Sequence, residues 1–329
     1  MLRQITIKLM DVINLVSAAN RIWLSTHISA DGDGLGSEMA FFHALKNKGL
    51  NPQLVHNDKV PKRYSYLVET AQILNAHEMM SSQFQSDDLC FIFDTHDPKL
   101  CEPLFTKLRE AKVKIVFVDH HVSNKTPFED CVYLINENAS CTGELTYEII
   151  QNLNVSLNAS MAEALYTSLV FDTQNYRTMR DPEKILKMAQ VFIQHGARHK
   201  EIYAHLFENW TVDKFNYLAK LITKVSYRND DTAIITINKT DLIEYKLSGD
   251  DVSDLVDLFM SLKNLKISIV LREEDHQSYK LSFRSRKNEI LSWAREFGGG
   301  GHLYSAGAWV TDSESNIINK LNNLIKKHG

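Results

Sequence analysis

Through the first half of the chain, short runs of β-branched and apolar residues alternate with stretches whose apolar positions recur at helical spacing. The runs are RIWLST (21–26), PQLVH (52–56), LCFIFD (89–94), KIVFVD (114–119) and CVYLI (131–135). Between them lie helical patterns such as Ser37–Lys48 and Pro98–Ala111. This rhythm predicts a parallel sheet covered by helices. In such sheets ligands gather beyond the carboxyl ends of the strands. From about Thr142 to Val225 the pattern is largely helical, with MAEALYTSLVFDT, PEKILKMAQVFIQ and WTVDKFNYLAKLITK. From about Ser226 it changes again: TAIITIN (232–238), KISIVLR (266–272) and YKLSFRS (279–285) read as strands enclosing helical stretches. The chain closes with GGGGH, a short strand AGAWV and the amphipathic helix SNIINKLNNLIKK. The expected fold class is α/β: an N-terminal parallel-sheet domain joined by helices to a smaller α/β C-terminal domain.

At 329 residues the chain is long for one domain and comfortable for two. It can bury a large core without disulfides or structural metals. Lysine and arginine number 37 against 41 acids, a formal charge of −4. A global basic field for long nucleic acid is therefore absent, while a local basic pocket for a small anion stays compatible with the composition. The four cysteines, Cys90, Cys101, Cys131 and Cys141, form no C-x-x-C pair, and Cys90 within LCFIF reads as a reduced core thiol. The opening stretch lacks the segments of a signal peptide and reads as an amphipathic helix. No apolar run approaches the ~18 residues of a membrane span. Together these lead us to expect a protein of the reducing cytoplasm.

Acids and histidines gather where the strands end. After RIWLST comes HISADGDGLGS, with His27, Asp31 and Asp33; after LCFIF come Asp94 and Thr-His96-Asp97; after KIVFV comes Asp119-His120-His121. Parallel strands place their carboxyl ends on one edge, so these groups should meet in one crevice. Asp172, ending the apolar stretch ALYTSLVF, is a further candidate. Singly, each has an ordinary explanation. Gly-Asp-Gly is turn chemistry, Asp94 suits an N-cap for the helix after Pro98, and Asp-His-His suits a polar strand end. Gly32, Gly34 and Gly36 suit a phosphate-cradling loop, at a spacing that fits neither the Walker nor the Rossmann pattern. Taken together these explanations fail, because four converging carboxylates repel one another strongly. Two divalent cations would offset Asp31, Asp33, Asp94 and Asp172, and mixed imidazole and carboxylate suits manganese better than calcium. Two ions roughly 3.5–4 Å apart, sharing a carboxylate, form a phosphoryl-transfer device and bring the pKa of bound water toward ~7. Neighbouring side chains on an extended segment point to opposite sides, so His120 and His121 are not expected to share one ion.

In this order, HISADGDGLGS, FDTHDP, VDHH and FDT resemble the four motifs of the DHH phosphoesterase superfamily. SFRS, FGGGGH and SAG resemble the DHH-associated domain of its nano-RNase and pAp-phosphatase branch. The resemblance covers nearly the whole chain, and the four motifs are specific as a set where each alone is not. It implies a catalytic metal-binding DHH domain over 1–195, a helical linker over 196–225 and a DHH-associated substrate-binding domain over 226–329, with the active site in the cleft between the domains. It implies one manganese ion on His27, Asp31 and Asp94 and another on Asp33, Asp94, His120 and Asp172, with Asp94 bridging. Asp119 would orient a histidine, and His121 would contact the scissile phosphate or the leaving oxygen. Gly299, Gly300, Gly301 and His302 would approach a phosphate or base, while Arg284 and Arg286, on one strand face by alternation, would fork onto a terminal phosphate.

The activity implied is hydrolysis of very short oligoribonucleotides, chiefly linear dinucleotides, to mononucleotides, with dephosphorylation of 3′-phosphoadenosine 5′-phosphate (pAp) as a related reaction. The partners implied are short RNA or dinucleotides, with neither long nucleic acid nor a membrane; a homodimer is left open. A cyclic-dinucleotide phosphodiesterase and a non-catalytic nucleotide sensor compete with this reading, but a sensor would be marked by lost metal ligands and none is lost. An inorganic pyrophosphatase is disfavoured by GGGGH, and a RecJ-like exonuclease by the missing basic field. The chain departs from the family pattern at Ala30, where proline is common, at Thr-Gln-Asn-Tyr-Arg after Asp172, where a small residue or glycine is usual, and at Ser305-Ala-Gly, where Ala-Ala-Gly is usual. These departures bear on nucleotide preference and remove no proposed ligand.

Overall fold

The computed structural model describes residues 9–122, 128–301 and 303–328. The chain divides into two compact units, Met1–Asn209 and Trp210–Gly329. The first holds strands β1 (Ile22–Thr26), β2 (Gln53–His56), β3 (Ile73–Asn75), β4 (Leu89–Phe93), β5 (Lys114–Asp119) and β6 (Cys131–Ile135). They form one parallel sheet in the order β3-β2-β1-β4-β5-β6. Its helices are α1 (Leu9–Ala18), α2 (Gly32–Asn47), α3 (Ser65–Val68), α4 (Leu104–Glu110), α5 (Thr142–Asn152), α6 (Ala159–Asp172), α7 (Pro182–Gln194) and α8 (His199–Phe207). Leu89, Phe91 and Phe93 of β4 enter the core beneath α2, α5 and α6, while Cys90 and Ile92 enter the core beneath α4. Both faces of the sheet are thus covered, which is why its central strands are buried throughout and largely apolar.

The strand order reverses between β1 and β4, with β2 and β3 to one side and β5 and β6 to the other. A crevice forms outside the carboxyl ends of the strands at such a reversal. The residues that leave β1 and β4 there are His27 and Asp94.

Helix α2 begins at Gly32, five residues earlier than the hydrophobic pattern suggested. Glycine is a poor helix former, so GDGLGS reads locally as a turn, but packing overrides that preference. A β-carbon at Gly34 would lie 2.2 Å from Thr26 Oγ1, and one at Gly36 would lie 2.5 Å from the Ala164 carbonyl oxygen. The glycines let α2 press against the end of β1 and against α6. Asp31 and Asp33 are therefore the N-cap and first turn of a helix rather than loop residues. The glycine run forms no phosphate-cradling loop.

The second unit holds β7 (Ser226–Arg228), β8 (Thr232–Ile237), β9 (Ile267–Asp275), β10 (Ser278–Ser285), β11 (Gly300–Gly301) and β12 (Ser305–Thr311) in a mixed sheet, ordered β11-β12-β10-β9-β8-β7. Among the described residues of this unit, only β8 and β9 pair in parallel. Helices α9 (Val212–Ile222), α10 (Lys239–Glu244) and α11 (Leu255–Phe259) cover one face; α12 (Leu291–Glu296) and α13 (Glu314–His328) cover the other. The helical stretch expected as a linker over 196–225 is shared out. Ile202 and Leu206 of α8 are buried in the first unit, and Tyr217, Leu218 and Leu221 of α9 in the second. Among the described residues no helix is long and apolar enough to cross a membrane, and the four cysteines are buried thiols.

Candidate metal centre

The Asp31 carboxylate caps α2, accepting the N–H groups of Asp33 at 3.0 Å and Gly34 at 3.2 Å. Asp33 is buried in the first turn of the same helix. It also lies at the amino end of α5, whose Thr142 and Gly143 N–H groups donate to it at 2.8 and 3.3 Å. Two helix N-termini thus stabilise its negative charge, and the Ser168 hydroxyl of α6 donates to it as well. Asp94 follows β4 with a φ of +63°, a left-handed conformation that aspartate tolerates better than most non-glycine residues. Its carboxylate accepts the Thr142 hydroxyl at 2.9 Å. The ordinary explanation for Asp94 falls here, because the residue that caps the turn after β4 is Asp97. Asp172 ends α6, where the helix dipole disfavours an acid, and a neighbouring imidazole offsets that cost.

Three imidazoles face these carboxylates: His27, His120 and His121, the last with Nδ1 3.6 Å from Asp94. His27 places Nδ1 at 2.7 Å from the Ile28 carbonyl, to which it donates; in the neutral ring this leaves the lone pair on Nε2. That Nε2 lies 3.5 Å from Asp94 and 3.8 Å from Asp31. His120 likewise donates from Nδ1 to the Ala139 carbonyl at 3.3 Å. Its Nε2 lies 3.4 Å from Asp33, 3.5 Å from Asp172 and 3.7 Å from Asp94. The Asp94 carboxyl is therefore approached by His27 at one oxygen and by His120 at the other.

Beneath the histidines sits Asp119, fully buried. It accepts the backbone N–H groups of His120 and His121 at 2.7 and 3.2 Å, the His121 Nδ1–H at 2.7 Å, and the His96 Nδ1–H on its other oxygen. The expectation that His120 and His121 diverge does not hold. β5 ends at Asp119, whose carboxylate turns the next two residues inward, and the two rings lie 4.9 Å apart. Strand alternation has no force past the strand's end.

The electrostatics match a site short of positive charge. Burial, with the charges of Asp33 and Asp31, drives the Asp94 carboxyl well above the ordinary range, against the pull of His27 and His121. Burial likewise lifts Asp172 to about 6. Burial opposes protonation of His27, but Asp31 and Asp94 outweigh it and raise that imidazole well above its usual value. Three overlapping donor groups converge, each within 4.8 Å: His27, Asp31 and Asp94; Asp33, His120 and Asp172; Asp94, His120 and His121. Carboxylate oxygens mixed with imidazole nitrogens fit a divalent transition metal, and these clusters could hold one or more such ions.

Residues 21–169 match the DHH family, N-terminal domain, and residues 229–327 match the DHHA1 domain. The chain belongs to the DHH family. It is a hydrolase with the DHH and DHHA1 architecture. Over 328 residues it is 25% identical to the bifunctional oligoribonuclease and PAP phosphatase NrnA of Bacillus subtilis, covering 97% of this chain and 99% of that protein. Against the cyclic-di-AMP phosphodiesterase GdpP of Geobacillus thermodenitrificans it is 23% identical, covering 91% of this chain but 46% of that protein. A crystal structure of an exopolyphosphatase-related protein from Bacteroides fragilis shares the fold, with a TM-score of 0.86 at 20% identity, covering 97% of this chain and 95% of that one.

In the DHHA1 domain, β11 pairs with β12, Gly300 opposite Gly307 and Gly301 opposite Ala306. A β-carbon at Gly299 would come within 2.0 Å of the Gly307 carbonyl oxygen, so this approach excludes any side chain there. Arg284, at the end of β10, donates from Nε to Asp257 at 2.8 Å. Arg286 lies past the end of β10 and donates to the carbonyls of Met260 and Leu262. His302 lies outside the described residues. In the DHH domain, the sequence reading gave no role to His96, Thr142 or Ser168. The histidine of FDTHDP was visible without a partner to explain it; Thr142 and Ser168 carry no signal beyond a polar residue in a helical pattern.

Proposed function

We propose that this hydrolase is a manganese-dependent phosphodiesterase of the cytoplasm that degrades very short oligoribonucleotides, chiefly linear dinucleotides, and also removes a phosphate from pAp. The observation that carries the reading is Asp94, common to the donor group around His27 and the donor group around His120. In this reading His27, Asp31 and Asp94 would hold one ion, and Asp33, Asp94, His120 and Asp172 the other. Such ions, when bound, supply positive charge to the phosphoryl group and an acidified water for in-line attack. The names of the NrnA relatives support the substrate class.

The chain's own groups do the positioning. Asp33, fixed by two α5 N–H groups and Ser168, cannot swing away when the substrate arrives. Asp119 fixes the His121 ring through Nδ1. Burial opposes protonation of that ring, but the Asp119 charge raises it to about 10. With Nδ1 held by Asp119, His121 would meet the charge that develops on the leaving oxygen. His96, on the other Asp119 oxygen, limits the rotation of that carboxylate. The substrate-binding roles of Arg284, Arg286, Gly299, Gly300, Gly301 and His302 belong to the same proposal. Arg284→Ala should raise KM for dinucleotides while metal content stays unchanged.

The test is a manganese-supplemented substrate panel of pAp, linear dinucleotides, cyclic dinucleotides and pyrophosphate. Linear dinucleotides should be turned over with the highest kcat/KM. A clear preference for cyclic dinucleotides would favour the second reading, which the similarity to GdpP supports. Binding without turnover of any member would mark a sensor and end the proposal.

A further inference from the structure

Arg63 lies on the segment N-D-K-V-P-K-R-Y (57–64) after β2, and that segment is tied to the carboxyl edge of the sheet. The Asp58 carboxylate accepts the N–H of Ser29, in the loop between His27 and Asp31, at 2.7 Å. Asn57 accepts the Leu104 N–H at 3.2 Å. Tyr64 is fully buried, with its ring edge-on to Phe171 at 6.1 Å between centroids. Phe171 precedes Asp172 and fills the space over Gly32. The Tyr64 phenol is near enough to Asp31 to feel its charge.

The Arg63 guanidinium lies over the Tyr64 ring, 4.8 Å from its centroid. Its Nε is buried and, among the described residues, has no hydrogen-bond partner. Lys59 and Lys62, on the same segment, are exposed. A cation beside a cluster of carboxylates gains by pairing with one of them. Arg63 instead stacks on a rigid buried ring, which holds its planar fork in one orientation for an anion from outside. The Tyr64 ring on which it stacks packs in turn on Phe171, the neighbour of Asp172. In the phosphohydrolase reading the scissile phosphate would lie among the metal donors, so a phosphate taken by Arg63 would be a different one.

We infer that Arg63 is a specificity-determining residue that takes a second, non-scissile phosphate of a nucleotide substrate. The inference rests on the phosphohydrolase reading above. Arg63→Gln in the manganese-loaded full chain tests it, with pAp, AMP and adenosine 3′-phosphate titrated by calorimetry, and with 5′-phosphorylated and unphosphorylated diadenylate as substrates. The variant should bind pAp about 10–100-fold more weakly, while one of the two monophosphates, the one lacking the phosphate that Arg63 takes, binds as before. Metal content and melting temperature should not change, and Arg63→Lys should recover part of the affinity. Equal weakening of both monophosphates would place Arg63 at the scissile phosphate or the nucleoside, and unchanged pAp binding would leave it only a cap on Tyr64; either overturns the inference. If the wild type hydrolyses neither dinucleotide, the phosphohydrolase reading fails, and the three binding isotherms still decide the role of Arg63.

Discussion

At Asp94 the backbone is left-handed, the carboxyl is buried, and imidazoles approach each of its oxygens. The strand-end position of Asp94, His27 and Asp119 was legible in the sequence, because acids and histidines rarely interrupt runs this apolar without cause. The local hydrogen bonds were not, because they join residues more than a hundred positions apart, as Thr142 and Ser168 meet Asp33. In the proposed reading, roles divide between the adjacent histidines even though their rings lie side by side. His120→Ala should lose one manganese or bind it far more weakly. His121→Ala should keep both ions and lose turnover, and Asp119→Asn should lower affinity or activity ~10–100-fold. Metal stoichiometry and kcat measured at one manganese concentration check all three; loss of an ion from His121→Ala alone would reverse the assignment. Asp172 adds a pH test. Its folded pKa of about 6 exceeds the ordinary 3.8. The stability it contributes to the metal-free protein is therefore full below about pH 4 and lost as pH rises through about 6. Asp172→Asn should stabilise the metal-free protein by on the order of 1 kcal/mol at pH 7.5, and by less at pH 5. Denaturant titrations at the two pH values decide, and a larger gain at the lower pH would contradict the burial argument.

Among the elements, the central strands were read almost to the residue, because burial on both faces makes their sequences largely apolar. The strands that escaped notice, β3, β7 and β11, all lie at sheet edges and are two or three residues long. The start of α2 was missed for a different reason. Local propensity argued for a turn, and the close approach to β1 and α6 that justifies its glycines is a tertiary fact. That approach also brings two proposed metal donors together, since α2 holds Asp33 and α6 holds Asp172. Gly36→Ala should gain up to ~1 kcal/mol in helix propensity, yet its β-carbon would meet the Ala164 carbonyl oxygen at 2.5 Å, an atom of the backbone. We expect a net loss of about 1–3 kcal/mol and weaker manganese binding, seen in thermal melts and calorimetric titration. A variant more stable than wild type with unchanged affinity would show that the helices can part without disturbing the site.

Across the whole molecule the net charge is −4. An enzyme that tracks long RNA needs a basic groove and stacking surfaces, and its binding weakens steeply with salt. Nothing in the composition supplies such a groove, which is why the sequence led us to expect short substrates. The order of the motifs, and the change in pattern near residue 226, likewise made two units legible. The division at Asn209 was not, because both flanking helices are amphipathic and only packing shows which core each one joins. The central claim is hydrolysis of very short RNA at a centre built on Asp94, and the most direct test is kcat/KM for oligoadenylates of two to twenty nucleotides with manganese. The account predicts a maximum at the dinucleotide, a steep fall by about seven nucleotides and no comparable activity on 20-mers, with Asp94→Ala inactive at every length. Comparable kcat/KM on dinucleotides and 20-mers, or near-normal turnover by Asp94→Ala, would contradict it.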